Sequence, residues 1–341
     1  MTLAQIRGAL LEELILKLLD NVGYEIINSD GDGIRNGHSG IEVCGRGEWH
    51  QIDALASLTY TPAFMYPLRL LLEAKCYRHN RSVGIEIPRN ALGVLKDIQE
   101  NYFTFRTGSN NELQVQRYNY HSAIFSTSNY TVGAQRFSIA HQIFLITYEY
   151  VPIMQPISET LLSLEEADFM GMDHIESIKV MREDFANLIS NQNQNSEIFS
   201  ETGREKVNGI KNNFNRIKGS YFGMLQGRYP LHLISEKPLP ASLFAETDEI
   251  QCKIYSYNRS SWYFSPSQVN PNSPNYFKLE FNLPKEIAHV IYELNDRTEI
   301  ANIKRERFSF IHLSGKIGGI QRMIKLKLDE DWLFRFLEET G

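Results

Sequence analysis

Residues 49–77 read WHQIDALASLTYTPAFMYPLRLLLEAKCY, and this stretch decides the fold. We predict a strand at each end, with a short loop between them. In the second strand, Leu71, Glu73 and Lys75 are spaced two residues apart, so their side chains project from one face. The rest of that run is apolar enough to be buried. Glu73 and Lys75 are therefore predicted to lie together at the end of a buried strand, next to a strand that contains Asp53.

These three side chains have the chemistry of a hydrolytic metal site. Burying an isolated carboxylate such as Asp53 in an apolar strand costs free energy unless the carboxylate is paired or binds a metal ion. Carboxylate oxygens hold Mg²⁺, and a lysine beside the ion can orient or deprotonate the attacking water. In the alternative interpretation, Glu73 and Lys75 only pair with each other at the sheet end. That alternative leaves Asp53 unexplained.

The order Asp53, then Glu73-Ala74-Lys75, resembles the PD-(D/E)xK nuclease superfamily, and in detail its Mrr-type restriction endonuclease branch. Ile52 stands where many members have proline. The resemblance implies an α/β fold with a restriction-endonuclease-like mixed central sheet flanked by helices. It also implies a metal-dependent endodeoxyribonuclease that hydrolyses DNA, in defence against foreign DNA. Asp53 and Glu73 would hold Mg²⁺, with Mn²⁺ as a substitute, and Lys75 would position or activate the attacking water.

An amphipathic helix is predicted over residues 4–22, because its leucines, isoleucines and valine fall on one stripe at helical spacing. At 100° per residue, Glu12 falls at the rim of this stripe and Glu13 points well away from it. The segment also resembles the opening helix of Mrr-type nucleases, which implies that Glu12 joins the active site. The alternative is an acid on the helix surface.

Two further side chains are candidate substrate contacts. Gln51 shares a strand face with Asp53 in the predicted pairing. Arg89 follows Pro88 in the first turn of a predicted helix, whose backbone N–H groups face any anion at that end. A strand, a helix and a last strand are predicted between residues 122 and 147. They also resemble the Mrr-type order, so the resemblance covers roughly residues 5–150.

We divide the chain into a nuclease domain at 1–152, a helical connector at 153–225 and a C-terminal α+β module at 226–341. Within the connector, residues 203–224 read as a basic helix and the polar segment 191–197 as a loop. The module is rich in short strands, with a helix after Pro284 and a closing helix. No catalytic motif is present in it.

Composition limits the classes of function. The chain has 341 residues, of which 42% are hydrophobic and 22% charged, as in soluble globular proteins. No run approaches ~20 apolar residues, and the three cysteines form no CxxC pair, so we expect a cytoplasmic protein without membrane contact or zinc site. A net charge of −6 means that DNA binding needs local basic patches.

The sequence leaves several alternatives open. The chain resembles a nuclease, but a binding or effector protein on the same fold would share its patterns. In that case the C-terminal module would bind a partner protein or a small signal that gates the activity. A homodimer is also left open, as are the DNA target sequence and its methylation.

Overall fold

This computed structural model describes residues 2–28, 30–31, 33–37, 40–101, 117–170, 176–190, 198–294 and 296–338. The predicted loop at 191–197 lies outside these ranges. The chain forms two compact units. The first unit comprises Met1–Leu145 and Glu159–Lys211, and the second comprises Ile146–Ser158 and Asn212–Gly341.

The first unit is built on a five-stranded sheet with the strand order β1-β5-β6-β7-β8. The strands are β1 (Tyr24–Ile26), β5 (Ala54–Leu58), β6 (Leu68–Lys75), β7 (Asn119–Ser126) and β8 (Phe144–Thr147). The central strand β6 runs antiparallel to β5 and parallel to β7, so the sheet is mixed. The predicted α/β class is confirmed.

A second sheet changes the predicted strand around Asp53. It has the order β2-β3-β4, and its strands are β2 (Ile34–Asn36), β3 (Ile41–Cys44) and β4 (Trp49–Ile52). The sequence predicted one strand through Asp53, but the chain bends there, leaving one sheet after β4 and entering the other at β5. Buried residues lie on both sides of the bend, so the apolar run looks continuous in the sequence.

The helices between residues 3 and 214 are α1 (Leu3–Asp20), α2 (Glu86–Gln99), α3 (Val132–His141), α4 (Gln155–Ser163), α5 (Glu176–Ile189) and α6 (Glu201–Phe214). Of these, α1 packs on β1, β5 and β6, and α2 packs on β7. Helix α1 begins at a capping box, in which Thr2 accepts a hydrogen bond from the Gln5 backbone and the Gln5 side chain accepts from Thr2. Its stripe, from Ile6 to Leu19, is buried against the sheet and α5.

The second unit is a closed seven-stranded barrel with the order β10-β13-β12-β11-β15-β14-β9. The strands are β9 (Gly219–Leu225), β10 (Tyr229–Ser235), β11 (Glu249–Ser256), β12 (Ser261–Pro266), β13 (Leu279–Asn282), β14 (Phe310–Ile317) and β15 (Ile320–Leu328). Only the β11–β15 pair among them is parallel. Trp262, Phe264 and Phe281 are among the buried side chains of its core. The helices are α7 (Lys285–Glu293), α8 (Arg297–Phe308) and α9 (Glu330–Glu338).

The boundaries differ from our division of the chain. Of the segment 153–225, helix α5 and most of α6 lie in the first unit, and β9 lies in the second. The helix predicted to reach residue 224 ends at Phe214. The aromatic residues Tyr221 and Phe222 belong to a strand, in which Tyr221 enters the barrel core. In the part of the chain that the structure describes, no helix is long and apolar enough to cross a membrane.

Candidate active site

Asp53 lies at the bend between the two sheets, directly beside the central strand. The β5–β6 register pairs Ala54 with Leu72, so Asp53 falls opposite Glu73, one step beyond the last pair. Its carboxylate oxygen Oδ2 accepts a hydrogen bond from the backbone N–H of Ala74 at 3.1 Å. The bend thus lets a side chain take the place of a backbone acceptor, which fixes the Asp53 carboxylate against β6.

Glu73 and Lys75 form an ion pair on the neighbouring strand. The Lys75 Nζ lies 2.8 Å from Glu73 Oε1, and the two side chains are only 23% and 21% exposed. Burial raises the pKa of Glu73, and Lys75 offsets this effect only in part. Burial alone would lower the pKa of Lys75, but Glu73 and Asp53 outweigh it, so that pKa is raised. Lys75 is therefore an ammonium at neutral pH.

Glu12 of α1 faces the same cluster. Its side chain is 11% exposed. Burial, with the Asp53 carboxylate as the second cause, raises the pKa of Glu12 to about 8. The structure therefore brings Glu12, Asp53, Glu73 and Lys75 within electrostatic reach of one another. Such strongly shifted carboxyl groups concentrate at functional sites, although structural ion pairs also produce them.

Arg182 of α5 completes the cluster, and the sequence did not predict it. Its Nη1 lies 2.7 Å from Glu12 Oε2 and its Nε lies 2.7 Å from Glu13 Oε1. Glu13, predicted to point away from the stripe, thus turns back to share this guanidinium. The sequence did contain a signal for Arg182: at helical spacing this charged residue lies on the same helix face as the buried Phe185 and Ile189. Its partners lie about 170 residues away, so no local pattern names them.

A cavity of about 780 Å³ opens beside this cluster. Asp53, Glu13 and Arg182 line it together with residues of α1, α5 and the three-stranded sheet. The two predicted substrate contacts, Gln51 and Arg89, are not among the residues that line this cavity. Gln51 is exposed on β4, where its backbone pairs with Glu42. Arg89 is exposed on α2, with its guanidinium 5.8 Å from the Phe137 ring centroid.

Asp53 and Glu73 are the two carboxylates at this end of β6 that could ligate a magnesium ion. Among the described residues, no three His, Cys, Asp or Glu side chains are grouped closely enough to enclose a metal ion. Magnesium characteristically takes one or two carboxylates and fills its remaining positions with water and substrate phosphate oxygens. Asp53 and Glu73 each have one oxygen in a contact described above. The second oxygens of these two carboxylates are the donors that such an ion would use.

Replacing Arg182 with methionine should lower the free energy of unfolding by about 1–3 kcal/mol. The substitution keeps the stem but leaves two half-buried carboxyl groups without their shared cation. Protonation of Glu12 offsets part of this cost, because its pKa is already raised. Urea unfolding at pH 7 measures the loss. In the double variant Arg182→Met/Glu13→Gln the loss should be smaller than the sum of the two single losses; strict additivity would show that the pair is not coupled.

Comparisons with known proteins do not identify the chain. No family model matches it, and no curated protein sequence matches it. A search of solved structures finds the crystal structure of AF1548, a protein of unknown function, at a TM-score of 0.33 and 13% identity. That alignment covers 60% of this chain and 95% of the other. A likeness this distant carries no argument about fold or function.

Proposed function

We propose that this protein is a metal-dependent endodeoxyribonuclease of the PD-(D/E)xK type, with a restriction-endonuclease-like first unit. The observation that carries the proposal is the meeting of Asp53, Glu73 and Lys75 at one end of β6. The half-buried Glu12 of α1 beside Asp53 supports it. The resemblance to Mrr-type enzymes supplies the substrate, DNA, and the setting, defence against foreign DNA.

Asp53 and Glu73 would hold Mg²⁺, and the ion would supply charge stabilisation at the phosphate and a more acidic water. Lys75 has a distinct task. Its Nζ lies 2.8 Å from Glu73 Oε1, and an ammonium held there can donate a hydrogen bond to the attacking water. We assign Lys75 to orienting the attacking water and to balancing the negative charge that develops on the phosphate.

The backbone of β6 positions the carboxylates. Ala74 lies between Glu73 and Lys75, and its N–H fixes Asp53, so all three groups depend on one short piece of strand. In the hydrolysis, the water oxygen forms a bond to phosphorus while the bond from phosphorus to the leaving sugar oxygen breaks. The attacking water gives up one proton and the leaving sugar oxygen takes up one, so the products are an ionised phosphate monoester and a sugar hydroxyl group.

Purified protein should nick supercoiled plasmid DNA in the presence of Mg²⁺ or Mn²⁺, and not in EDTA or with Ca²⁺ alone. The physical reason is that a two-carboxylate site takes hard cations, while Ca²⁺ accepts a looser geometry that does not align the water. Agarose electrophoresis over time measures nicking. The Lys75→Ala protein, purified in the same way, controls for contaminating nucleases. Undiminished cleavage in EDTA would refute the metal-dependent mechanism.

A further inference from the structure

The outer surface of the barrel carries a row of tyrosine side chains. Tyr255 of β11 pairs in register with Tyr263 of β12, and their rings stack with centroids 5.2 Å apart. Tyr257, just beyond β11, has its ring centroid 4.8 Å from that of Tyr263. Their strand neighbours Ile254 and Trp262 are buried in the barrel core. Since side chains alternate along a strand, the three tyrosines lie on the outside of the barrel.

These rings remain accessible. Tyr257 is 44% exposed, and Tyr255 and Tyr263 are half-buried. Trp332 of α9 extends the row, with its ring centroid 5.2 Å from that of Tyr255. Single exposed aromatic side chains are common on protein surfaces. A contiguous row of exposed rings is uncommon and is characteristic of a binding site.

Lysines flank the tyrosine row. The exposed Lys278 has its Nζ 4.9 Å from the Tyr263 ring centroid and 5.9 Å from that of Tyr257. Lys253 projects from β11 on the same face as Tyr255, by strand alternation. Among the described side chains, no carboxylate lies within 4.0 Å of either ammonium, whereas two lysines of β15 share Glu249. Lys253 and Lys278 therefore keep their charge available to a ligand.

The acid Glu280 lies beside these rings, and both of its carboxylate oxygens have hydrogen-bond partners. Glu280 accepts a hydrogen bond from the Tyr257 hydroxyl at 2.9 Å and another from the Ile153 backbone N–H at 3.1 Å. Burial raises the pKa of Glu280. Its carboxyl group therefore anchors Tyr257, and Lys253 and Lys278 supply positive charge beside the rings within a chain whose net charge is −6.

We propose that the tyrosine–lysine face, defined by Tyr255, Tyr257, Tyr263, Lys253 and Lys278, binds single-stranded nucleic acid. Aromatic rings stack on exposed bases, and ammonium groups meet the backbone phosphates. Lys278 has a flexible stem, so a base can replace it on the ring while its ammonium moves to a phosphate. A duplex keeps its base faces stacked internally, so the rings discriminate against it. This binding does not depend on the proposed nuclease activity.

The test is fluorescence anisotropy with the full chain and a labelled oligodeoxythymidine about 20 nucleotides long, which exceeds the ~4–16 nucleotides covered by one small barrel. EDTA in the buffer prevents any metal-dependent cleavage. We expect the wild-type protein to bind the single strand and to bind a duplex of equal length at least tenfold more weakly. Asp53→Ala should bind the single strand at least as tightly as the wild type does, which separates this proposal from the catalytic one.

Matched variants assign the binding to the face. Tyr257→Ala should weaken binding by roughly tenfold or more, while Tyr257→Phe, which keeps the ring and loses the bond to Glu280, should bind like the wild type. Lys278→Glu should weaken binding and reduce the slope of log K against log salt by about 0.7 or more. Lys316→Glu makes the same charge change at an exposed residue of β14 and should leave affinity within about twofold.

Three results would overturn the proposal. The first is no binding of the single strand by the folded wild-type protein. The second is wild-type affinity in both Tyr257→Ala and Lys278→Glu. The third is duplex binding that equals single-strand binding and falls in the same variants. A thermal melt of each variant accompanies the titrations, and Tyr257→Phe and Lys278→Glu change only exposed contacts, so at least these two report on a folded barrel.

Discussion

Replacing Lys75 with alanine is expected to lower the rate of plasmid cleavage by about 10²–10⁴-fold while the affinity for DNA stays nearly unchanged. The Lys75 ammonium is held by Glu73 at 2.8 Å, where it is suited to orienting the attacking water. One such group adds little to the total phosphate contacts.

Asp53→Ala is expected to abolish metal-dependent cleavage as well. It should bind DNA at least as tightly as the wild type, because it removes a negative charge that faces the phosphate.

A nicking time course, a binding titration at fixed salt and a thermal melt measure these effects for each variant. Both variants should stay folded, because neither substitution opens a cavity in the apolar core. Lys96→Ala, at an exposed residue in the last turn of α2, is the matched control and should cut at the wild-type rate. A Lys75→Ala protein that melts and cuts like the wild type would refute the assignment. If both variants unfold, Glu73 and Lys75 are a structural ion pair.

Part of the candidate site could be predicted because strands and helices have fixed periods. Alternation along β6 placed Glu73 and Lys75 on one face, and the structure pairs them. The 100° step along α1 placed Glu12 at the rim of the buried stripe, and its pKa responds to Asp53. In both cases the information lies within one element, where residue spacing alone determines which side chains are neighbours.

The bend at Asp53 could not be predicted from the same reasoning. Two consecutive strands that belong to different sheets can have the same apolar pattern as one continuous strand, because each of them buries residues in its own sheet. The β3–β4 pairing ends with Ile41 opposite Ile52, and the β5–β6 pairing starts with Ala54 opposite Leu72. Which strand lies opposite is a long-range property, and hydrophobic pattern does not encode it.

The barrel and Arg182 were missed for the same physical reason. The strands of the second unit were predicted singly, but closure depends on the parallel pairing of β11 with β15, for example Ile250 opposite Leu326. Arg182 reaches Glu12 and Glu13 only because α5 packs on α1. The segment that we interpreted as a connector therefore contributes a cation to the candidate site.

The second unit is expected to lose stability in acid through one buried histidine. His232 of β10 is buried, with Nδ1 at 2.9 Å from the Tyr148 hydroxyl and Nε2 at 2.8 Å from the Ser220 hydroxyl. A neutral imidazole has one donor and one acceptor nitrogen, and each hydroxyl can serve either, so the neutral ring is satisfied. Burial lowers the pKa of His232 to about 3.

The sign of the effect follows from proton binding. The unfolded chain takes up this proton below pH ~6.5, whereas the folded barrel resists it until about pH 3. The contribution to stability is therefore complete above pH ~6.5 and decreases as the pH falls toward 3. The loss is about 1.4 kcal/mol per pH unit and reaches ~4–5 kcal/mol in total, a large share of the ~5–15 kcal/mol typical of a folded domain.

Urea unfolding between pH 7 and pH 4, followed by tryptophan fluorescence, measures this loss, because Trp262 is buried in the barrel. His232→Gln cannot titrate. It should be less stable than the wild type at pH 7, by about 1–3 kcal/mol, because glutamine reaches the two hydroxyls imperfectly. The difference between the two proteins should then shrink as the pH falls below ~6.5 and reverse in sign before pH 4, because the wild type alone loses about 1.4 kcal/mol per pH unit. His312→Gln, at an exposed residue of β14, is the control and should keep the acid dependence of the wild type. A stability difference between wild type and His232→Gln that stays constant over this range would contradict the prediction, since the carboxylates that both proteins share cancel in the comparison.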